Sequence, residues 1–264
     1  MNPSTDTPGG GHPDPQTRQP GLEPGPAKRL RVAAVGDLHV GEGQERPHRD
    51  LFDRVHEEAD VLCLCGDLTN FGKTREVEIL LEDLRHCRIP MVGVLGNHEH
   101  ECGQPERVKD LLCDAGVKIL DGQAYEIEGV GFAGGKGFVG GFGRYMLSSF
   151  GEDSIKRFVQ EAVEDANVIE NSIRMLRTER SVVLLHYSPV VDTVMGEPPE
   201  IHAFLGSSRL GETVDRYDNI SLVVHGHAHR GQPEGRTNKG TPVYNVALPV
   251  LRTLGDRPYR VFEV

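Results

Sequence analysis

Aliphatic runs of strand length recur from Leu30 to the C-terminus, and between several of them apolar residues return at helical spacing. Residues 30–35, 61–65, 91–95, 182–185 and 221–224 predict buried strands, because a strand covered on both faces shows no regular polar alternation. Leu51, Phe52, Val55 and Ala59 share one helical face, and so do Val77, Leu80, Leu81 and Leu84. Val108, Leu111, Leu112 and Ala115 form a third face, closed by Gly116, which suits the turn that ends a helix. Strand, helix and strand in this order predict βαβ units and an α/β domain.

The middle of the chain changes character. Residues 117–120, 124–127 and 130–133 read as short strands, followed by a Gly-rich stretch over 134–143 and a long amphipathic helix from about residue 153 to 180. Residues 242–247 and 259–264 read as a closing pair of strands, which points to two packed sheets rather than one. No repeat and no break in composition divides residues 29–264, so one domain is expected there. Residues 1–28 are rich in Pro, Gly and Thr with almost nothing apolar to bury, and a disordered tail is expected because burial there cannot offset the entropy of ordering.

Charge narrows the partners. A formal net charge of −11 on 264 residues disfavours nucleic acid polymers and anionic membranes, which select a clustered positive patch. Small anions stay possible, since bound divalent ions reverse the local charge. No apolar stretch approaches the roughly 20 residues needed to cross a bilayer, and the first 30 residues lack a signal-peptide core, so a cytoplasmic protein without membrane partners is expected. Five cysteines, at 63, 65, 87, 102 and 113, form an odd set without CxxC spacing, and no disulfide framework is expected. Cys63 and Cys65 alternate with Leu62 and Leu64, the setting of small core residues.

Residues of metal-binding type follow the buried strands in a fixed order: Asp37-Leu38-His39, Gly66-Asp67, Gly96-Asn97-His98-Glu99, His186, and Gly226-His227-Ala228-His229. Each cluster alone is weak. The carboxyl ends of parallel strands share one sheet edge, however, so residues distant in sequence can meet there. Carboxylate, amide oxygen and imidazole donors suit Mn²⁺, Fe or Zn²⁺, and the lack of thiolates argues against a structural zinc site. Two such cations about 3.5–4 Å apart need a bridging carboxylate, for which Asp67 is the choice, and they make hydroxide available from a shared water near neutral pH. The same pair can clamp the oxygens of a phosphoryl group during in-line attack.

With these five clusters in order, the sequence resembles the calcineurin-like metallophosphoesterase superfamily over nearly the whole chain after residue 28. The resemblance implies a four-layer αββα sandwich of two mixed sheets flanked by helices. It implies that one metal is held by Asp37, His39, Asp67 and His229, and the second by Asp67, Asn97, His186 and His227. It also implies that His98 is the acid that stabilises the transition state or protonates the leaving oxygen. A small phosphorylated substrate is the expected partner.

One departure guides the choice of branch. Protein phosphatases of the superfamily place an Arg soon after the second-cluster Asp, whereas Asp67 is followed by Leu68, Thr69, Asn70, Phe71 and Gly72. This stretch looks more like the bacterial cyclic-nucleotide phosphodiesterase branch, so a small phosphodiester is expected. A monoesterase, a protein phosphatase and a catalytically silent interaction platform are the alternatives, the last disfavoured because every ligand position is kept. Lys136 and Arg144, in and beside the Gly-rich stretch, are candidate substrate-binding cations, and a mobile hairpin or lid is the alternative reading of that stretch. Glu99, His100 and His225 adjoin the clusters and either tune the site or hold its loops. His12, His48, His56, His86 and His202 read as surface or hydrogen-bonded residues.

Overall fold

The computed structural model describes Met1 and residues 29–264, and the tail expected over 1–28 lies, Met1 aside, outside the described residues. Two sheets form the framework. The first contains β1 (Arg31–Val35), β2 (Val61–Cys65), β3 (Met91–Val94), β4 (Val117–Ile119) and, at its other edge, the last strand of the chain. The second is built from β5 (Ala124–Ile127), β6 (Val130–Gly134), β7 (Arg180–Leu184), β8 (Ile220–His225), β9 (Glu234–Arg236) and β10 (Pro242–Asn245). That last strand is β11 (Arg260–Glu263).

In the first sheet the order is β11-β1-β2-β3-β4, with β1 to β4 mutually parallel and β11 antiparallel to β1. In the second it is β5-β6-β7-β8-β10-β9, with β6, β7, β8 and β10 parallel and the two outer strands antiparallel. Both sheets are therefore mixed, as expected. Residues 242–247 and 259–264 contain strands, but these do not pair: β10 joins β8 and β11 joins β1. Each belongs to a different sheet, β11 at an edge and β10 between β8 and β9.

The expected helices α1 (Arg49–Glu58), α2 (Thr74–Leu84) and α3 (Pro105–Asp114) connect the strands of the first sheet. The long helix α4 (Asp153–Met175) precedes β7 and stops short of residue 180. Leu176 turns extended with its side chain buried, and the Arg177 guanidinium donates to the carbonyls of Arg174 and Leu176, satisfying acceptors left open at the helix end. Two short helices, α5 (Ser208–Val214) and α6 (Leu248–Leu251), complete the set. Among the described residues no helix is long and apolar enough to cross a membrane.

Strand periodicity divides the core. Val182 and Leu184 of β7 and Leu222 and Val224 of β8 pack with the first-sheet residues between the sheets. Their neighbours Val183, Leu185 and Val223 pack with Ile169 and Ile173 of α4 and Leu210 and Val214 of α5 on the other face. Both faces of the second sheet are thus apolar, which explains the unbroken aliphatic runs. At the end of β1 the two sheets are stitched together, since Gly36 donates to the Val246 carbonyl and accepts from Leu248, at 2.9 and 3.0 Å. That junction places the carboxyl ends of both parallel arrays at one edge.

Phe52 of α1 is fully buried against this core. Replacing it by Ala is expected to cost about 3–5 kcal/mol in urea unfolding, the usual loss for a buried aromatic ring. A loss below about 1 kcal/mol would show that α1 does not pack on the sheet in solution.

Candidate metal centre

Sharp turns at the strand ends carry the candidate ligands. Among the described residues, six that are not glycine have positive φ, and four of them are Asp37 at 57°, His39 at 47°, Asp67 at 49° and His227 at 69°. Such backbone is uncommon outside glycine, though Asp and His adopt it more readily than most, and its concentration here marks a region held in place by its surroundings. The restraint is visible in the main chain: Asp37 donates to the Gly66 carbonyl at 2.9 Å and His39 to the Asp67 carbonyl at 3.0 Å. The turns after β1 and β2 thereby lock each other.

The glycines are required by proximity. A Cβ on Gly66 would lie 2.5 Å from His186 Nδ1, and one on Gly96 would overlap the Asp67 carboxylate and backbone. Only the bare backbone lets the three turns approach so closely.

All seven sequence-predicted ligands and His98 gather at this edge. His229 Nε2 lies 2.9 Å from Asp37 Oδ1, and His39 Nε2 lies 4.0 Å from Asp37 Oδ1 and 3.9 Å from Asp67 Oδ2. His186 Nε2 lies 2.9 Å from Asn97 Oδ1 and 3.4 Å from Asp67 Oδ1. The His186 and His227 rings meet edge on, 4.9 Å between centroids. Three sets have donor atoms all within 4.8 Å of one another: Asp37, His39 and His229; His39, Asp67 and His98; and Asp67, His186 and His227. His39 and Asp67 are shared between sets. His39 Nε2 and His229 Nε2 face each other at 3.4 Å, close enough for one cation to be ligated by both. The donor set therefore fits two transition-metal ions.

Main-chain carbonyls orient the rings. The Nδ1–H of His186 donates to Cys65 at 3.0 Å, which turns Nε2 toward Asp67 and Asn97. His98 donates from Nδ1 to Asn70 at 2.6 Å, leaving Nε2 to face Asp67 Oδ2 at 3.9 Å. His227 donates from Nε2 to Phe204 at 3.2 Å and keeps Nδ1 as its free nitrogen. Such bonds fix tautomer and ring plane together.

Glu99 holds the second and third turns together. Its fully buried carboxylate accepts from the N–H groups of Asp67, Gly96 and Thr69 and from the Thr69 hydroxyl, at 3.0, 2.7, 2.9 and 2.8 Å. Of the two roles left open by the sequence, these contacts are those of a loop clamp. Burial and the charge of Asp67 push its carboxyl up, and the donors only partly counter them. Burial alone would raise Asp67 too, but the charge of His186 and hydrogen bonds from His186 and the His98 amide hold it below the usual range. His186 rises to about 9, because its attraction to Asp67 and Asp37 outweighs its burial. His227 is pushed down to about 4 by burial and by the neighbouring His186.

The other candidates take different places. His225 is fully buried, donates to the Gly226 carbonyl and accepts from the Thr193 hydroxyl, so it supports the final turn. Lys136 pairs with Asp165 at 3.1 Å, donates to the Gly137 carbonyl and sits over the rings of Phe138 and Tyr187. Arg144 is exposed and stacks on Tyr145. His48 is buried and bonds the Leu38 carbonyl, while His12 lies outside the described residues. Sequence reasoning missed Tyr187, whose ring lies 4.6 Å from that of His227; its position next to His186 at a strand end was the available signal. The carbonyls of Cys65, Asn70 and Phe204 had no signal, since every residue has one.

Comparison with known proteins gives the family and the fold. A family model described as calcineurin-like phosphoesterase matches residues 30–231. An uncharacterized protein of Methanocaldococcus jannaschii, MJ1162, is 24% identical over 209 residues, covering 78% of this chain and 83% of the relative. The fold is similar to that of phosphopantetheinyl hydrolase from Mycobacterium tuberculosis, with a TM-score of 0.63, 15% identity, and coverage of 89% of this chain and 96% of that one. It is also similar to TT1561 of Thermus thermophilus, with a TM-score of 0.54, 15% identity, and coverage of 89% and 99%.

The Glu99 clamp makes a sharp prediction. Glu99→Gln keeps the shape but turns an amide N–H₂ toward backbone N–H donors, so it is expected to cost about 1–3 kcal/mol of stability for the group left unsatisfied. Equal urea midpoints for the variant and the parent protein would show that the clamp contributes nothing.

Proposed function

Because the chain belongs to the calcineurin-like phosphoesterase family and is therefore a hydrolase of phosphoric esters, we propose that it is a dinuclear metal-dependent phosphodiesterase acting on a small diester such as a cyclic nucleotide. The observation that carries the dinuclear reading is the overlap of the donor sets at Asp67 and His39 on one sheet edge. Asp37, His39, Asp67 and His229 would hold one ion, and Asp67, Asn97, His186 and His227 the other, with Asp67 common to both. Mn²⁺, Fe and Zn²⁺ all suit these donors. Bound there, the two ions supply Lewis acidity toward phosphoryl oxygens and acidify water near neutral pH.

The side chains prepare the rest. Asp37 and Asp67 are buried by the packing of the strand ends, and their side-chain oxygens accept from the amides of His227 and His98. In this assignment His98 is not a ligand, although its donor atom lies within 4.8 Å of those of His39 and Asp67. With Nδ1 fixed on the Asn70 carbonyl, its Nε2 is the atom that holds a proton and passes it to the departing oxygen.

Two observations favour a diester. The turn after Asp67 offers Thr69 and Asn70 where phosphatases of the family offer a cation. To meet the second charge of a monoester, Lys136 would have to leave Asp165 and Arg144 its stack on Tyr145. A monoanionic diester does not require that step.

Replacing His98 by Ala is expected to lower kcat by about 10²–10⁴ while elemental analysis after Mn²⁺ loading still finds about two ions per chain. Loss of both ions in the variant would make His98 a ligand instead. For substrate choice, kcat/KM is expected to be higher for bis-p-nitrophenyl phosphate than for p-nitrophenyl phosphate. A tenfold preference for the monoester, abolished by Lys136→Ala or Arg144→Ala, would overturn the diesterase reading and make those cations the recognition element.

A further inference from the structure

A cavity of about 430 Å³ lies where the loop before α1, the start of α1 and α6 converge. Two of its wall residues are bonded to the turn that carries Asp37 and His39. His48, nine-tenths buried, donates from Nε2 to the Leu38 carbonyl at 3.1 Å. Leu248 donates its amide to the Gly36 carbonyl at 3.0 Å. Gly36 and Leu38 are the two neighbours of Asp37, so the cavity wall is one hydrogen bond away from the first ligand turn on either side of Asp37.

The lining is cationic, on a chain whose formal net charge is −11. Arg46, Arg49 and Arg252 line the cavity against a single carboxylate, that of Asp50. Arg49 meets Asp53 only at 3.7 Å, and among the described residues no carboxylate or carbonyl meets the guanidinium of Arg46 or of Arg252. The amides of Arg49, Asp50 and Leu51 open α1 with no side-chain cap from His48, so they add N–H donors to the same wall. Burial lowers the pKa of His48, the Leu38 carbonyl and Asp83 oppose that, and the charge of Arg252 lowers it again. The positive charge of Arg252 is therefore felt at the His48 ring, and a bound anion would relieve it.

We propose that this cavity binds a small anion through a phosphate group, at a site separate from the metal centre, and that the bound anion braces the turn carrying Asp37 and His39. Guanidinium forks match phosphate oxygens in pairs and keep their charge at any physiological pH. The start of α1 offers its amides to the same ligand. The acidity of the whole chain disfavours a polymer with many phosphates, so the ligand carries one phosphate, free or at the end of a small molecule. Held beside His48, it steadies that ring and, through the ring, the Leu38 carbonyl. This site is independent of the phosphodiesterase reading, since no residue of the metal centre lines it.

Calorimetric titration of the Mn²⁺-loaded protein with inorganic phosphate and with methylphosphonate tests the site, against the double variant Arg46→Gln with Arg252→Gln. A control double variant, Arg107→Gln with Arg157→Gln, removes the same charge at exposed positions outside the cavity. With Mn²⁺ content equal by elemental analysis, phosphate bound at the metal centre is common to all three proteins and cancels in the comparison. The cavity variant is expected to lose one phosphate-binding event, or about tenfold in its affinity, while the control keeps it. Methylphosphonate binding lost in the same variant assigns the site to a phosphate terminus on an organic molecule, and phosphate binding alone assigns it to the free ion. Under saturating phosphate, the amides of His39 and Val40 are expected to exchange hydrogen about threefold more slowly in the parent than in the cavity variant. Equal phosphate binding by the parent and the cavity variant, or an equal loss in the control, overturns the site. Equal exchange with binding intact overturns the bracing alone. Should the double variant fail to fold, as judged by thermal melting, Arg252→Gln alone decides, with the same outcomes.

Discussion

The buried carboxylate of Glu99 is the contact on which the centre depends. It joins the turn after β2 to the turn after β3 through four donors, and Asp67 and Asn97 ride on those two turns. A carboxylate in this setting is stable only because its oxygens are saturated with hydrogen bonds, so the clamp is cooperative. The turn after β1 is added by main-chain bonds from Asp37 and His39 to Gly66 and Asp67. Three turns become one rigid unit, and the left-handed backbone at Asp37, His39 and Asp67 is held by their mutual restraint.

That rigidity has an electrostatic use. Asp37 and Asp67 are almost completely buried, with imidazoles as their nearest cationic partners. Burying two carboxylates so close together is costly, and multivalent cations at the same place offset the cost. The direction of each shift reflects this tension: Asp67 is held ionised by His186, while His227 is kept neutral and available as a donor. Carbonyls of Cys65, Asn70 and Phe204 then decide which nitrogen each ring presents.

Lys136 links the centre to its surroundings. Its carbonyl anchors the start of the turn after β7, where His186 sits, while its ammonium is held by Asp165 of α4. One residue of the Gly-rich stretch therefore serves the metal centre through its backbone and the packing of α4 through its side chain.

The strand positions and the order of the ligand clusters were legible in the sequence because both are local. A buried aliphatic run sets a strand, and the polar residue after it is carried to the sheet edge by the covalent chain. Asp37, His39, Asp67, Asn97, His186, His227 and His229 all meet for this reason. Local pattern is silent where a strand is buried on both faces, so it could not show that Val182 and Leu184 face the first sheet while Val183 faces α4. Nor could it show that β10 and β11 join different sheets, since an aliphatic strand is compatible with either. The orienting carbonyls and the arginine-lined cavity were decided by tertiary structure alone. Carbonyls are common to all residues, and the cavity exists only where α1, the loop before it and α6 converge, because the size and charge of an empty space depend on the distances between elements that sequence does not encode locally.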